Sequence, residues 1–251
     1  MSAPDAGLRM PILSHLAELR RRLLWSALVL VVATFACFAF AEPLFHWLYA
    51  PMAKASSQPL VVLSPLEMFF AYMKLALVGG LFVSTPWLLL QAWLFIAPGL
   101  YAHEKRWIAP FVVLGTAFFV AGGAFAYFAV LPTMLKYLTL MLPAEVQASY
   151  SVGVYVGLVL NLLVIFGIIF ELPLVMWVLS AAGVVSPDAF ARFRKYWLVL
   201  AFVIGGIVSA DPSPITQALI AGPLLLFWEL GIIGGRVLAR RRANTTATAQ
   251  A

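Results

Sequence analysis

Residues 152–182 read VGVYVGLVLNLLVIFGIIFELPLVMWVLSAA, an apolar run with a single formal charge, Glu171. A helix crosses the hydrocarbon core of a bilayer in roughly 20 residues, so this run spans with length to spare. Working outward from it, five further apolar stretches appear, at residues 23–41, 69–95, 107–131, 196–210 and 215–233. Turn formers or charges separate them, among them Ala53–Pro59, Ala97-Pro98-Gly99, Leu142–Glu145 and Ser186-Pro187-Asp188. Composition agrees: 64% of residues are apolar and 10% charged, against roughly 45–50% and about 25% in soluble domains. Such a chain lacks the polar groups to clothe a water-exposed surface. Helices that satisfy their own backbone in lipid remove the need for one. The expected fold is all-α, a polytopic membrane protein with six transmembrane helices in one domain over residues 1–235. Residues 236–251, basic and then polar, are expected to form a disordered tail.

Orientation follows from Lys and Arg, which favour the cytoplasmic side of short loops. Arg9, Arg20, Arg21, Arg22, Lys105, Arg106, Arg192, Arg194, Lys195, Arg236, Arg240, Arg241 and Arg242 fall on one side, 13 of the 16 basic residues. Lys54, Lys74 and Lys136 fall on the other. Both termini are therefore expected in the cytoplasm. The net charge of +6 flanks apolar runs and forms no basic patch between aromatics, which argues against nucleic-acid binding. Cys37 is the single cysteine, so neither a disulfide framework nor a metal cluster is expected. Arg20-Arg21-Arg22, an apolar run and Ala39-Phe40-Ala41 also fit a cleaved secretory signal, although the run is longer than a usual signal core. The fifth span covers only about 22 Å of helix, and Pro223 is expected to kink the sixth. Both short spans fit either local thinning of the bilayer or shielding by the other four. Gly153-x-x-x-Gly157 and Gly231-x-x-x-Gly235 fit close helix contacts.

Enzyme motifs are absent: there is no His-Glu-x-x-His, no phosphate-binding loop and no nucleophile elbow. His15, His46 and His103 are too scattered for a metal site. The chemistry must be recognition or transport, and the ten acidic residues are the informative ones. Glu18 lies in Ser14-His15-Leu16-Ala17-Glu18-Leu19-Arg20-Arg21-Arg22, and Glu104 in the first basic loop beside Lys105 and Arg106. Two readings stay open. The two carboxylates grip guanidinium groups, whose planar fork matches a carboxylate, or each pairs with its own basic neighbour. Glu171 lies deep in an apolar span and must face a polar cavity, pair, or be protonated; a proton-coupled small-solute permease would use it. Gln91 and Gln217 lie next to or within spans.

The order of these residues resembles the TatC family, the signal-reading subunit of the twin-arginine protein translocase. The resemblance rests on Ser14-His15-Leu16-x-Glu18-Leu19-Arg20-x-Arg22-Leu23 and on Pro86 through Gln91-x-Trp93-x-Phe95 to Pro98-Gly99-Leu100 and Glu104-Lys105-Arg106. It also rests on Phe118-x-x-x-Gly122 through Phe125-x-Tyr127-Phe128 to Pro132, on Phe166-Gly167-x-x-Phe170-Glu171-x-Pro173, and on Arg194-Lys195-Tyr196. Ala50-Pro51 and Ser64-Pro65-x-Glu67-x-Phe69 fit the first outer loop, and the match runs from about residue 12 to about residue 235. The resemblance implies a cupped six-helix structure in a bacterial inner membrane that binds twin-arginine signal peptides of folded cargo. It implies that Glu18 and Glu104 contact the two signal arginines, with Arg20, Phe95 and Arg106 shaping the site. It implies that Pro51 serves assembly, and that Glu171 and Gln217 form an intramembrane polar site for single-span TatA/TatB-type partners. It implies self-association in a larger complex, no cofactor, and transport driven by the proton-motive force. One departure is visible: the family's Thr-Pro-Pro-Asp-Pro is Ala210-Asp211-Pro212-Ser213-Pro214 here, with Ser213 in place of the acid.

Overall fold

The computed structural model describes residues 6–56, 58–96, 108–140, 143, 149–181, 184–209 and 214–249. The elements are α1 (Ala6–Phe38), α2 (Ala41–Ala55), α3 (Glu67–Ile96), α4 (Ile108–Phe125), a π turn (Ala126–Val130), α5 (Leu131–Leu140), α6 (Val152–Ala181), α7 (Pro187–Ser209) and α8 (Pro214–Ala249). The all-α expectation holds, and among the described residues β pairing is limited to a parallel bridge between Val61 and Ser151.

Five helical stretches are long and apolar enough to cross a membrane: His15–Phe38, Glu67–Phe95, Ala109–Leu140, Val152–Ser180 and Pro214–Val237. The sixth, α7, falls short by that measure because Arg192, Arg194 and Lys195 occupy its first half. Its apolar part is the short stretch from Tyr196 onward, as the sequence predicts. Ser186 caps α7 by accepting the Ala189 N–H, and Pro187 follows as the first helical residue, where its missing N–H costs nothing.

The most apolar helix, α6, has a mean hydropathy of 2.6 and is central: 56% of its apolar window is buried, against 6% for α1. Helix α1 packs on α3, α3 and α4 pack on α6, and α8 packs between α6 and α7. In lipid the helices gain little from burying apolar surface, so close packing holds them together. A Cβ on Gly122 of α4 would collide with the Phe166 carbonyl of α6; glycine lets the two backbones touch. Gly231 and Gly235 of α8 face Met176 and Ser180 of α6, so this predicted small-residue spacing is a helix contact. Gly157 meets nothing within 4 Å, so the second spacing is not.

Three features differ from the sequence reading. The third span runs past its predicted end at Leu131 to Leu140, through Pro132. Proline cannot bond the carbonyl four residues back and its ring crowds that carbonyl. The π turn placed just before Pro132 widens the helix there and takes up the mismatch. The first outer loop contains a helix of its own, α2, which buries Ala41, Leu48, Pro51 and Met52. Finally, α8 continues to Ala249, where a disordered tail is expected; Leu238-Ala239-Arg240-Arg241-Arg242-Ala243 is made of strong helix formers and carries the helix onward.

Candidate functional site

The starts of α1, α4 and α7 and the ends of α3 and α6 gather at one end, which carries the Arg runs and is called the basic end here. There α1 and α3 lie antiparallel. Glu18 and Arg22, four residues apart on one face of α1, form an ion pair, with Nε at 3.0 Å and Nη2 at 2.5 Å from the carboxylate. The third guanidinium nitrogen crosses to α3 and donates to Gln91 Oε1 at 3.3 Å. One turn further along each helix, His15 stacks on Phe95, with ring centroids 4.4 Å apart and planes 15° apart. Arg22 thus ties the acid to the neighbouring helix beside an aromatic pair. Both Arg22 contacts fall on Glu18 Oε1, and Oε2 accepts no hydrogen bond from a described residue. Of the two readings open for Glu18, pairing with its own neighbour is the one present in this structure. It occupies only half of the carboxylate. Arg20, two residues along α1, is exposed. Glu104 and Arg106 lie outside the described residues. The roles of His15 and Gln91 escape sequence reasoning, because pairing them with Phe95 and Arg22 requires the α1–α3 register.

Across the fold, α7 and α8 share two ion pairs near the basic end, Arg194–Glu229 at 2.5 Å and Arg236–Asp188 at 3.2 Å. All four side chains are largely exposed, so each pair contributes little, on the order of 0–1 kcal/mol.

Within the apolar layer, Glu171 projects from α6 toward Gly115 of α4, beside Leu89 of α3 and Leu174. Both its carboxylate oxygens are buried and lack a hydrogen-bond partner, as does the indole N–H of Trp93 nearby on α3. Gln217 lies elsewhere. It is four residues into α8, packed on Gly205 and Gly206 of α7, and it lines a groove with Leu198, Val199, Phe202 and Val203. Because the Phe170 ring of α6 packs against Phe227 of α8, with centroids 4.2 Å apart, Glu171 is level with the latter. Gln217 is ten residues from that level, roughly 15 Å along the axis. The structure therefore does not bring Glu171 and Gln217 together. Asp211 lies outside the described residues.

At the opposite end, Pro51 is buried inside α2. It has no N–H for the carbonyl of Trp47, four residues back. Tyr127, in the π turn, donates its hydroxyl to that carbonyl at 2.5 Å and stacks its ring on Trp47 at 4.0 Å. Tyr155 of α6 donates to the next carbonyl, Leu48, at 2.8 Å. The acceptor that proline frees thus becomes a docking point for α2. Beside it, Glu67 at the start of α3 accepts the N–H groups of Leu63 and Ser64 on one oxygen. The other oxygen takes the Ser151 hydroxyl and the Gly153 N–H of the α6 start. One carboxylate holds the outer loop to two spans.

The family model for the Sec-independent protein translocase protein (TatC) matches residues 14–223, which include the paired α1–α3 end, Glu171 and Gln217. The chain belongs to the TatC family. It is 42% identical over 236 residues to the Sec-independent protein translocase protein TatC of Aquifex aeolicus, covering 93% of this chain and 98% of that one. It is 35% identical to the TatC protein of Escherichia coli K12 over 237 residues, 93% of this chain and 91% of that one. A crystal structure of the twin-arginine translocase receptor TatC superposes with a TM-score of 0.80 at 42% identity, covering 89% of this chain and 99% of that one. As a TatC-family chain it is a multi-pass membrane protein, a component of the twin-arginine translocase that works with other Tat subunits, and not an enzyme. The small-solute permease reading of Glu171 finds no support in these relatives.

Proposed function

We propose that this TatC-family chain reads the twin-arginine signal peptides of folded proteins at the cytoplasmic face of a bacterial inner membrane. It scaffolds single-span partners of the TatA/TatB type for export driven by the proton-motive force. The basic end is then cytoplasmic, with both termini on that side, in keeping with the 13-to-3 distribution of basic residues. Residues 1–235 act as one transmembrane domain. The observation that carries the reading is the half-used Glu18 carboxylate, whose Oε2 accepts no hydrogen bond from a described residue, one turn from the Phe95–His15 pair. A signal arginine docks there as a fork on carboxylate, Glu104 takes the second arginine, and Arg20 and Arg106 shape the rim. Gln217 in the α7–α8 groove and Glu171 in the α3–α4–α6 layer give a partner helix two separate polar contacts, and α2 with Pro51 serves self-association on the far side.

The test is site-specific crosslinking of a labelled Arg-Arg signal peptide to the solubilised chain. Glu18→Ala and Glu104→Ala are expected to cut crosslinking about tenfold, the effect of losing a charge-assisted contact. Glu171→Ala is expected to leave it unchanged and to reduce contact with a single-span partner. Wild-type crosslinking in both cytoplasmic variants refutes the site.

A further inference from the structure

Lys74 is an exposed cation inside the Glu67–Phe95 span, and no described residue forms an ion pair with it. Its Cα lies seven residues into α3, about 10 Å along the axis from Glu67. A lysine at that depth is costly unless it pairs or reaches the interface. The acid on the same face two turns back, Glu67, takes its hydrogen bonds from neutral donors, Leu63, Ser64, Ser151 and Gly153, so it keeps its negative charge at the rim without forming an ion pair to Lys74. The ion pairs among the described residues are Glu18–Arg22, Glu229–Arg194 and Asp188–Arg236, and none involves Lys74. Lys74 instead lines an open cavity of about 470 Å³ with Ser64, Glu67, Phe70, Ser151 and Val154. Helical side chains lean toward the N-terminus of their helix. Lys74 therefore leans toward the rim, below the hydroxyls and carboxylate there, while exposed Met73 and Leu77 continue the apolar wall.

From the rim inward the wall is negative, then positive, then apolar. A zwitterionic phospholipid presents the complementary order: ammonium outermost, phosphate next, acyl chains below. We propose that this cavity is a phospholipid site in the leaflet at the end opposite the basic end, with the phosphate on Lys74, the headgroup ammonium toward Glu67 and the acyl chains along Phe70, Met73 and Leu77. Glu67 selects a headgroup carrying its own cation over a purely anionic one.

Native mass spectrometry of the full chain, released from nanodiscs of equal phosphatidylethanolamine and phosphatidylglycerol, tests this. Wild type is expected to retain one phosphatidylethanolamine in preference to phosphatidylglycerol. Lys74→Gln is expected to lose it about fivefold, the effect of one interfacial basic residue. Lys74→Arg, which keeps the charge, and Lys136→Gln, an exposed cation at the same end but outside the cavity, should retain it. Equal retention in Lys74→Gln overturns the site. So does preference for phosphatidylglycerol in the wild type, which is read without any variant. Crosslinking of position 74 to a carboxylate of a partner protein would likewise overturn it.

Discussion

At the scale of single residues, the polar groups of this chain work by leaving something unfinished. Glu18 spends one oxygen on Arg22 and gives the other to no described residue; Pro51 withholds an N–H and leaves the Trp47 carbonyl to Tyr127. The second case makes a sharp prediction. Tyr127→Phe strips the Trp47 carbonyl of its donor and is expected to cost roughly 1 kcal/mol of stability in detergent. Pro51→Ala supplies a helical N–H to the same carbonyl, so the double variant should lose less than the sum of the singles. Additive thermal-unfolding losses would count against Tyr127 acting through the acceptor that Pro51 frees. Sequence discloses such pairs unevenly. Glu18 with Arg22 is legible, because four residues on a helix make one face. Glu67 is not: Ser151 and Gly153 stand more than 80 positions away, and no local pattern joins them to it.

At the scale of elements, the long helices are legible and the irregular ones are not. A span announces itself by length and apolarity, and four of the six predicted spans recover their helices within a few residues at their starts, while the first, predicted from Leu23, belongs to a helix that starts at Ala6. The fifth, predicted from Tyr196, is the apolar half of a helix that starts nine residues earlier, at Pro187. Helix α2 is not legible because Pro51 falls in a segment that fits an outer loop, although the carbonyl this proline frees is taken up by Tyr127. The π turn has no composition of its own; Pro132 following it is the sole local hint. Where two helices touch, glycine marks the place. Gly122→Leu should force α4 off the Phe166 carbonyl and lower stability by about 1–3 kcal/mol, the usual cost of overpacking. Thermal unfolding of the purified variant measures it, and a neutral result would mean that α4 and α6 do not pack through this glycine. Glu229→Gln, in an exposed pair, should change the same midpoint little.

For the whole molecule, the sequence already carries the architecture, since α6 is both the most apolar span and the central one. What it could not carry is which polar residues share a neighbourhood. Glu171 and Gln217 look alike as rare polar positions in apolar runs, yet one faces Gly115 of α4 and the other lies in the α7–α8 groove. Signal reading depends on an acid at the basic end that recognises guanidinium in particular and not positive charge in general. Peptide binding to the chain in nanodiscs tests this most directly, with Arg-Arg and Lys-Lys versions of one signal peptide titrated against wild type and Glu18→Gln. Wild type should prefer Arg-Arg by about tenfold, the advantage of a planar fork over a point charge, and Glu18→Gln should bind both weakly with the preference gone. An undiminished Arg-Arg preference in Glu18→Gln would contradict it.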